Sequence, residues 1–130
     1  MTAFEPVSFA RTVFDLHLSH PRPKGAIILA RMGGVPVGRV MYLGQEPGLA
    51  EIKRLIVSES GRGHGLGRVL PEEMFAQMRG DGYERVQFSS ARFLTHARRL
   101  YASCGFQDIP HPGSCPDGLR DFVYFMERPL

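Results

Sequence analysis

The run Arg62-Gly63-His64-Gly65-Leu66-Gly67-Arg68 places glycines at alternate positions between two arginines, and a segment of helical periodicity follows it. Bare backbone of this kind can adopt positive φ and approach a ligand closely. Where it turns into a helix, the N–H groups of the first turn have no intrahelical acceptor. The positive end of the helix dipole and the flanking guanidinium groups add attraction for an anion, so the run predicts a phosphate cradle. The plainer alternative is a flexible turn, and spacing narrows the choice of ligand. A nucleoside-triphosphate loop requires Lys-Ser or Lys-Thr after its last glycine, where this chain has Arg68-Val69. A dinucleotide fingerprint requires G-x-G-x-x-G, which these alternate glycines do not supply.

The 130 residues suffice for one core and are too few for two, so residues 1–130 are expected to form a single domain. No apolar run approaches the ~20 residues of a membrane span, and no basic stretch with an apolar core opens the chain. The expected setting is therefore cytoplasmic, with no membrane partner. Cys104, on the apolar face of a predicted helix, and Cys115, in a Gly/Pro loop, fit a reducing compartment better than a disulfide framework. His17, His20, His64, His96 and His111 are scattered without metal-ligand spacing, so no metal is expected. The net charge of +3 draws on Arg54, Arg62, Arg68, Arg92, Arg98 and Arg99, near the glycine run. Such a patch suits nucleic acid or a phosphorylated cofactor; without interleaved exposed aromatics or a reading helix, the cofactor is preferred.

Along the chain, Val13–Leu18 alternates as a strand, limited by Pro6 and by the break His20-Pro-Arg-Pro23. Ala26–Ala30 and Val37–Leu43 flank Gly33-Gly34 as an antiparallel hairpin, Gln45–Gly48 forms the next turn, and Ala50–Val57 leads into the glycine run. Leu66, Val69, Leu70, Met74 and Met78 predict a helix from about Gly65 to Arg79, bent at Pro71 and stopped by Gly80-Asp-Gly82. Arg85–Ser89 is the next strand. A helix capped by Ser89 or Ser90 then carries the stripe Phe93, Leu94, Ala97, Leu100, Tyr101 and Cys104, with Gly105 as its left-handed stop. Gln107–Ile109 and Phe122–Met126, separated by the loop Pro110–Gly118, complete an α/β arrangement with a mixed sheet.

The pattern Arg62-x-x-Gly65-x-Gly67 after the strand Glu51–Val57, followed by Leu100-Tyr101-Ala-Ser-Cys-Gly105-Phe106 and the closing strand Phe125–Leu130, resembles the GNAT superfamily of acyl-CoA-dependent N-acyltransferases. The likeness spans roughly residues 26 to 130. It implies a mixed, mostly antiparallel central sheet flanked by helices, with a shortened N-terminal region where the family fits a strand and two helices. It implies acetyl-CoA as co-substrate. The main chain of Leu55, Ile56 and Val57 would pair with the pantetheine arm, and the backbone and charges of Arg62, Gly63, His64, Gly65, Leu66, Gly67 and Arg68 would hold the pyrophosphate.

The same resemblance implies transfer of an acetyl group to a primary amine by direct attack in a ternary complex, without Cys104 as a nucleophile. Glu51 is the implied base, through a water, against the plainer reading of a strand-end carboxylate paired with Lys53 or Arg54. Strict alternation sets Glu51, Lys53, Leu55 and Val57 on one face unless a bulge intervenes. Tyr101 is the implied acid toward the leaving sulfur, where a helix-borne tyrosine is otherwise a core residue. Two features depart from the family pattern. Leu94 stands where an Asn often contacts pantetheine, leaving Ser90 or the backbone at the helix start to replace that contact, with Arg98 either reaching a CoA phosphate or solvated like Arg99. The short N-terminus thins the acceptor cleft, which a second subunit in a homodimer would complete. The rival readings are a non-catalytic acyl-CoA-binding module and a basic nucleic-acid-binding protein.

Overall fold

The computed structural model describes residues 4–10, 14–19, 25–63 and 65–130, with side-chain environments from residue 25 onward except at Arg54 and His64. The element order is β1 (Phe4–Ala10), β2 (Phe14–Ser19), β3 (Gly25–Met32), β4 (Val35–Glu46), β5 (Leu49–Val57), α1 (Leu66–Gly80), β6 (Arg85–Ala91), α2 (Thr95–Ser103), β7 (Gln107–Ile109) and β8 (Val123–Pro129). The strands form one sheet in the order β1-β2-β3-β4-β5-β6-β8-β7. Every neighbouring pair is antiparallel except β5–β6, which is parallel.

Most elements follow the expected pattern. Gly33 and Gly34 both take positive φ in a two-residue loop, the turn whose twist matches that of a right-handed hairpin. Helix α1 starts at Leu66 with Gly65 as its N-cap, and Pro71 is buried inside it. The sixth helical residue still lacks a donor, but Gly67, whose carbonyl it would have bonded, lies in the open first turn. Helix α2 ends as a paired left-handed stop: the Phe106 N–H donates to the Tyr101 carbonyl (3.0 Å) and the Gly105 N–H to the Ala102 carbonyl (3.1 Å), with Gly105 at φ +93°.

Three expectations are corrected. Residues before β3 supply two strands rather than one. Pro6 is accommodated because β1 is an edge strand and its register shifts between Pro6 and Ser8. Ser89 and Ser90 do not cap α2, since β6 continues through both to Ala91 by pairing with β8. The helix instead begins at Thr95, leaving Phe93 and Leu94 outside it and exposed. The start of β2 at Val13 and the break at His20–Pro23 lie outside the described residues.

One face of the sheet presents Ile28, Val40, Tyr42, Ile52, Val86, Phe88, Tyr124 and Met126 to the core, where they pack against Leu66, Leu70, Met74, Phe75 and Met78 of α1. Tyr101 of α2 joins the same cluster, its ring centroid 4.2 Å from that of Phe88 and 5.2 Å from that of Phe106. Gly38 lets α1 approach closely: a Cβ there would lie 2.7 Å from a Leu66 methyl and 3.2 Å from the Ile56 carbonyl oxygen. The opposite face carries Leu29, Arg39, Met41 and Leu43, half-buried or exposed, with no helix over it among the described residues.

Candidate acyl-CoA cleft

The parallel pairing of β5 with β6 covers only Leu49–Arg85, Ala50–Val86 and Glu51–Gln87. Beyond Glu51 the strands part, and the β6-facing edge of β5 has no bridge partner. A bulge marks the parting: Met41 pairs with Arg54 and Tyr42 with Ile52, so Lys53 is the extra residue. A bulge bends and twists its strand. It also resets the alternation, so Ile52, Leu55 and Val57 share the helix-covered face with their partners Tyr42, Val40 and Gly38, whereas Glu51 lies on the helix-free face opposite Leu43. The exception allowed for in the sequence, an intervening bulge, is therefore what the structure contains, and strict alternation does not hold between Glu51 and Leu55.

The gap is a cleft of about 870 Å³, at the upper end of the ~300–1,000 Å³ typical of ligand sites. Leu55, Ile56 and Val57 line one wall, and Arg62, Gly63, Gly65, Leu66 and Gly67 line the end nearest α1. Gly63 (φ +79°) and Gly65 (φ +80°) need the left-handed conformation. Gly67 does not, and a Cβ there would meet nothing within 4 Å, so neither packing nor dihedral angle explains it. The N–H groups of Gly63, Gly65, Leu66 and Gly67 find no acceptor among the described residues. These donors belong to residues that line the cleft at and just before a helix start, the kind of place that binds phosphate. His64 lies outside the described residues. Arg68 points elsewhere, its guanidinium 3.5 Å from the Ser103 hydroxyl.

The Tyr101 phenol forms part of the cleft wall, yet its side chain is almost wholly buried and its oxygen has no hydrogen-bond partner. Burial chiefly, with the Cys104 and Tyr124 side chains nearby, holds its pKa well above the ordinary value, so the phenol is neutral. Glu51 does not line the cleft, although Ile52 and Lys53 beside it do. Its carboxylate accepts from Gln45 Nε2 and from Lys53 Nζ at 3.1 Å, with 18% of the side chain exposed. Tyr101 and Glu51 thus lie on opposite faces of the sheet, near the point where β5 and β6 separate.

Phe88, Ser89, Ser90, Leu94, His96 and Leu100 also line the cleft. Of these, Ser90 and Leu94 are the two that the family resemblance set beside pantetheine, whereas Phe88, Ser89, His96 and Leu100 carry no local signal of a cleft position, because reading Ser89 and Ser90 as caps folds the end of β6 into the helix. Arg98 pairs with Asp108 at 2.8 Å and stacks 4.8 Å from the Tyr124 ring centre. Both cysteines are free, and no group of three or more His, Cys, Asp or Glu side chains comes together among the described residues.

A sheet that splits beside a glycine-faced helix start is the architecture of enzymes that draw acyl groups from coenzyme A. Residues 2–106 match the profile of the Acetyltransferase (GNAT) family, and the chain belongs to that family. It is 30% identical over 110 residues to an IAA acetyltransferase of Azospirillum brasilense, covering 84% of this chain and 71% of that one. Among solved structures it is similar to a Klebsiella pneumoniae protein assigned to the acyl-CoA N-acyltransferases, with TM-score 0.75, 26% identity and coverage of 85% and 76% of the two chains. A Bacillus subtilis acetyltransferase in complex with CoA superposes with TM-score 0.69 at 19% identity, covering 82% of this chain and 78% of that one.

Proposed function

We propose that the chain transfers an acetyl group from acetyl-CoA to a primary amine by direct attack with both substrates bound. The observation that carries this reading is the neutral, buried and unpartnered Tyr101 hydroxyl in the wall of a cleft whose mouth is lined with free backbone donors. The open edge of Leu55, Ile56 and Val57 takes the amide-bearing pantetheine arm as an added strand, and Arg62 with the amides of Gly63 to Gly67 takes the pyrophosphate.

In the reaction the amine nitrogen bonds to the acyl carbon, the carbon–sulfur bond breaks, and the amine loses a proton while the sulfur gains electron density. Glu51 on the helix-free face receives the amine proton through a water, with Gln45 and Lys53 fixing its carboxylate. Tyr101 on the other face donates a hydrogen bond to the departing sulfur. Full transfer from a phenol held above its ordinary pKa to a thiolate, whose thiol has a pKa of about 8.5, is uphill, so donation rather than ionisation is its contribution.

Calorimetric titration with acetyl-CoA and with acetyl-CoA lacking the 3′-phosphate, followed by CoA release against a panel of amines, tests the reading. Micromolar binding with amine-dependent release supports it. Binding without release for any amine would make the chain an acyl-CoA-binding module, and no binding at millimolar acetyl-CoA would remove the cofactor assignment.

A further inference from the structure

The cleft is lined from both faces of the sheet. Leu55, Val57, the glycine run and Tyr101 line it from the helix-covered face. Ile56 and Ser89 line it from the helix-free face, since each alternates with neighbours that pack toward the core. The glycine run and α2 claim the covered side for the donor, so the acceptor amine meets the acyl group from the helix-free side, where Glu51 lies.

A row of cations crosses that side beside the opening. The register places Arg31, Arg39 and Arg54 on it, one from each of β3, β4 and β5. Arg39 stands directly opposite Ile56, Arg54 is opposite Met41 in the next row, and Arg31 is two residues along β3 from Leu29, the partner of Arg39. The acids of this face are placed or engaged elsewhere. Glu51 accepts from Gln45 and Lys53, Glu127 pairs with Arg85 at 3.2 Å, and Asp15 is in register with Arg31, two strands from Arg39. Arg39 is exposed and has no hydrogen bond or ion pair among the described residues, and the buried Arg31 Nε has no partner there either. An exposed arginine is ordinarily just solvated. Arg39 differs in its place, beside a residue of the cleft wall and between two other arginine positions, where the local field favours an anion.

We infer that this row holds an anionic group of the acceptor, so that the substrate class is a primary amine carrying a carboxylate or phosphate a few carbons from its nitrogen. The inference rests on the acetyltransferase reading above. The amine stands at the Glu51 row and the anionic oxygens at the Arg39 row, where a guanidinium takes two of them in a bidentate pair. Glu51 is opposite Leu43, four residues along β4 from Arg39, which is about 13 Å of strand. That length bounds the separation of amine and anion from above, and a five-carbon spacer fits within it. A diamine would set its second ammonium against the same guanidinium, and a simple alkylamine would gain nothing from it.

The test measures CoA release with four amines of one chain length: aminocaproate, aminohexyl phosphate, hexylamine and hexamethylenediamine. The inference expects kcat/KM for at least one of the two anionic amines to exceed that for hexylamine by about tenfold or more, with the diamine lowest. Whichever anionic amine is faster identifies carboxylate or phosphate as the group held. Arg39→Gln should remove most of that preference while binding acetyl-CoA as before. Equal kcat/KM for anionic and neutral amines would overturn the inference and leave the acetyltransferase reading intact. So would a preference that survives Arg39→Gln, or a variant that loses acetyl-CoA affinity, which would place Arg39 against the cofactor. If acetyl-CoA binds and none of the four is turned over, calorimetric titration of the same amines onto the CoA complex reads the same order, and anionic amines binding no tighter than hexylamine would overturn the inference. Absence of acetyl-CoA binding by the unchanged protein would instead remove the underlying reading.

Discussion

Replacing Gly67 with alanine separates stability from ligand binding. Gly67 sits in the first turn of α1 without positive φ, and a Cβ there would meet nothing within 4 Å. Alanine should therefore fit without strain and stabilise the helix by about 0.5–1 kcal/mol, the usual difference between these residues inside a helix. For a chain of 130 residues that corresponds to a rise in Tm of roughly 2–5 °C. The added methyl would project into the end of the cleft assigned to phosphate. Losing one or two charge-assisted hydrogen bonds, each about 1.5–3 kcal/mol, would weaken acetyl-CoA binding by at least about tenfold. Thermal unfolding and calorimetric titration on the same preparation read both effects. A Gly67→Ala protein with unchanged acetyl-CoA affinity would refute the reasoning, because this glycine would then have neither a packing nor a ligand-approach role.

Gly38→Ala is the opposite case: its Cβ would lie 2.7 Å from Leu66 and 3.2 Å from a backbone oxygen, so overpacking should cost about 1–3 kcal/mol, read as a lowered Tm. Tyr101→Phe should fold at least as well, because the lost hydroxyl is buried without a partner, while turnover falls by about 10–100-fold with acetyl-CoA affinity retained. Glu51→Gln should lower turnover by about 100-fold without altering acetyl-CoA affinity, measured by CoA release and calorimetry. Stability should also decline in alkali. Tyr101 ionises near pH 10 in the unfolded chain and only at higher pH when folded, so its contribution is complete below pH 10 and is lost as pH rises toward the folded pKa, by up to about 1.4 kcal/mol per pH unit. Chemical denaturation of Tyr101→Phe between pH 9 and 11 should show a shallower decline, the remainder coming from Tyr83 and Tyr124, whose pKa values are also raised by burial.

Local rules in the sequence carried most of the architecture. Glycines that require positive φ marked the Gly33-Gly34 hairpin, the entry to α1 and the stop after α2, and the spacing of Leu66, Leu70, Met74 and Met78 marked the buried stripe of α1. What failed depended on partners distant in sequence. Ser89 and Ser90 read as caps because capping is a local preference, but pairing with Tyr124 and Phe125 of β8 keeps them in a strand. Phe93 and Leu94 matched helical spacing, yet they precede the helix and face outward. The Lys53 bulge left no local signature, and it alone decides that Glu51 and Leu55 occupy opposite faces. The glycine-lined end of the cleft was therefore readable from its own residues, whereas the β6 wall required the pairing of the C-terminal half.

Among the described residues, the three residue pairs joining β5 to β6 form the only direct strand pairing between the β1–β5 half of the sheet and the β6–β8 half. The two halves are plates that meet along this short seam and share one core cluster. A ligand arm lying in the gap completes the missing rungs, so occupancy should couple the plates and slow amide exchange in both halves at once. Under mass action the protein's resistance to unfolding would then rise with the concentration of whatever fills the gap.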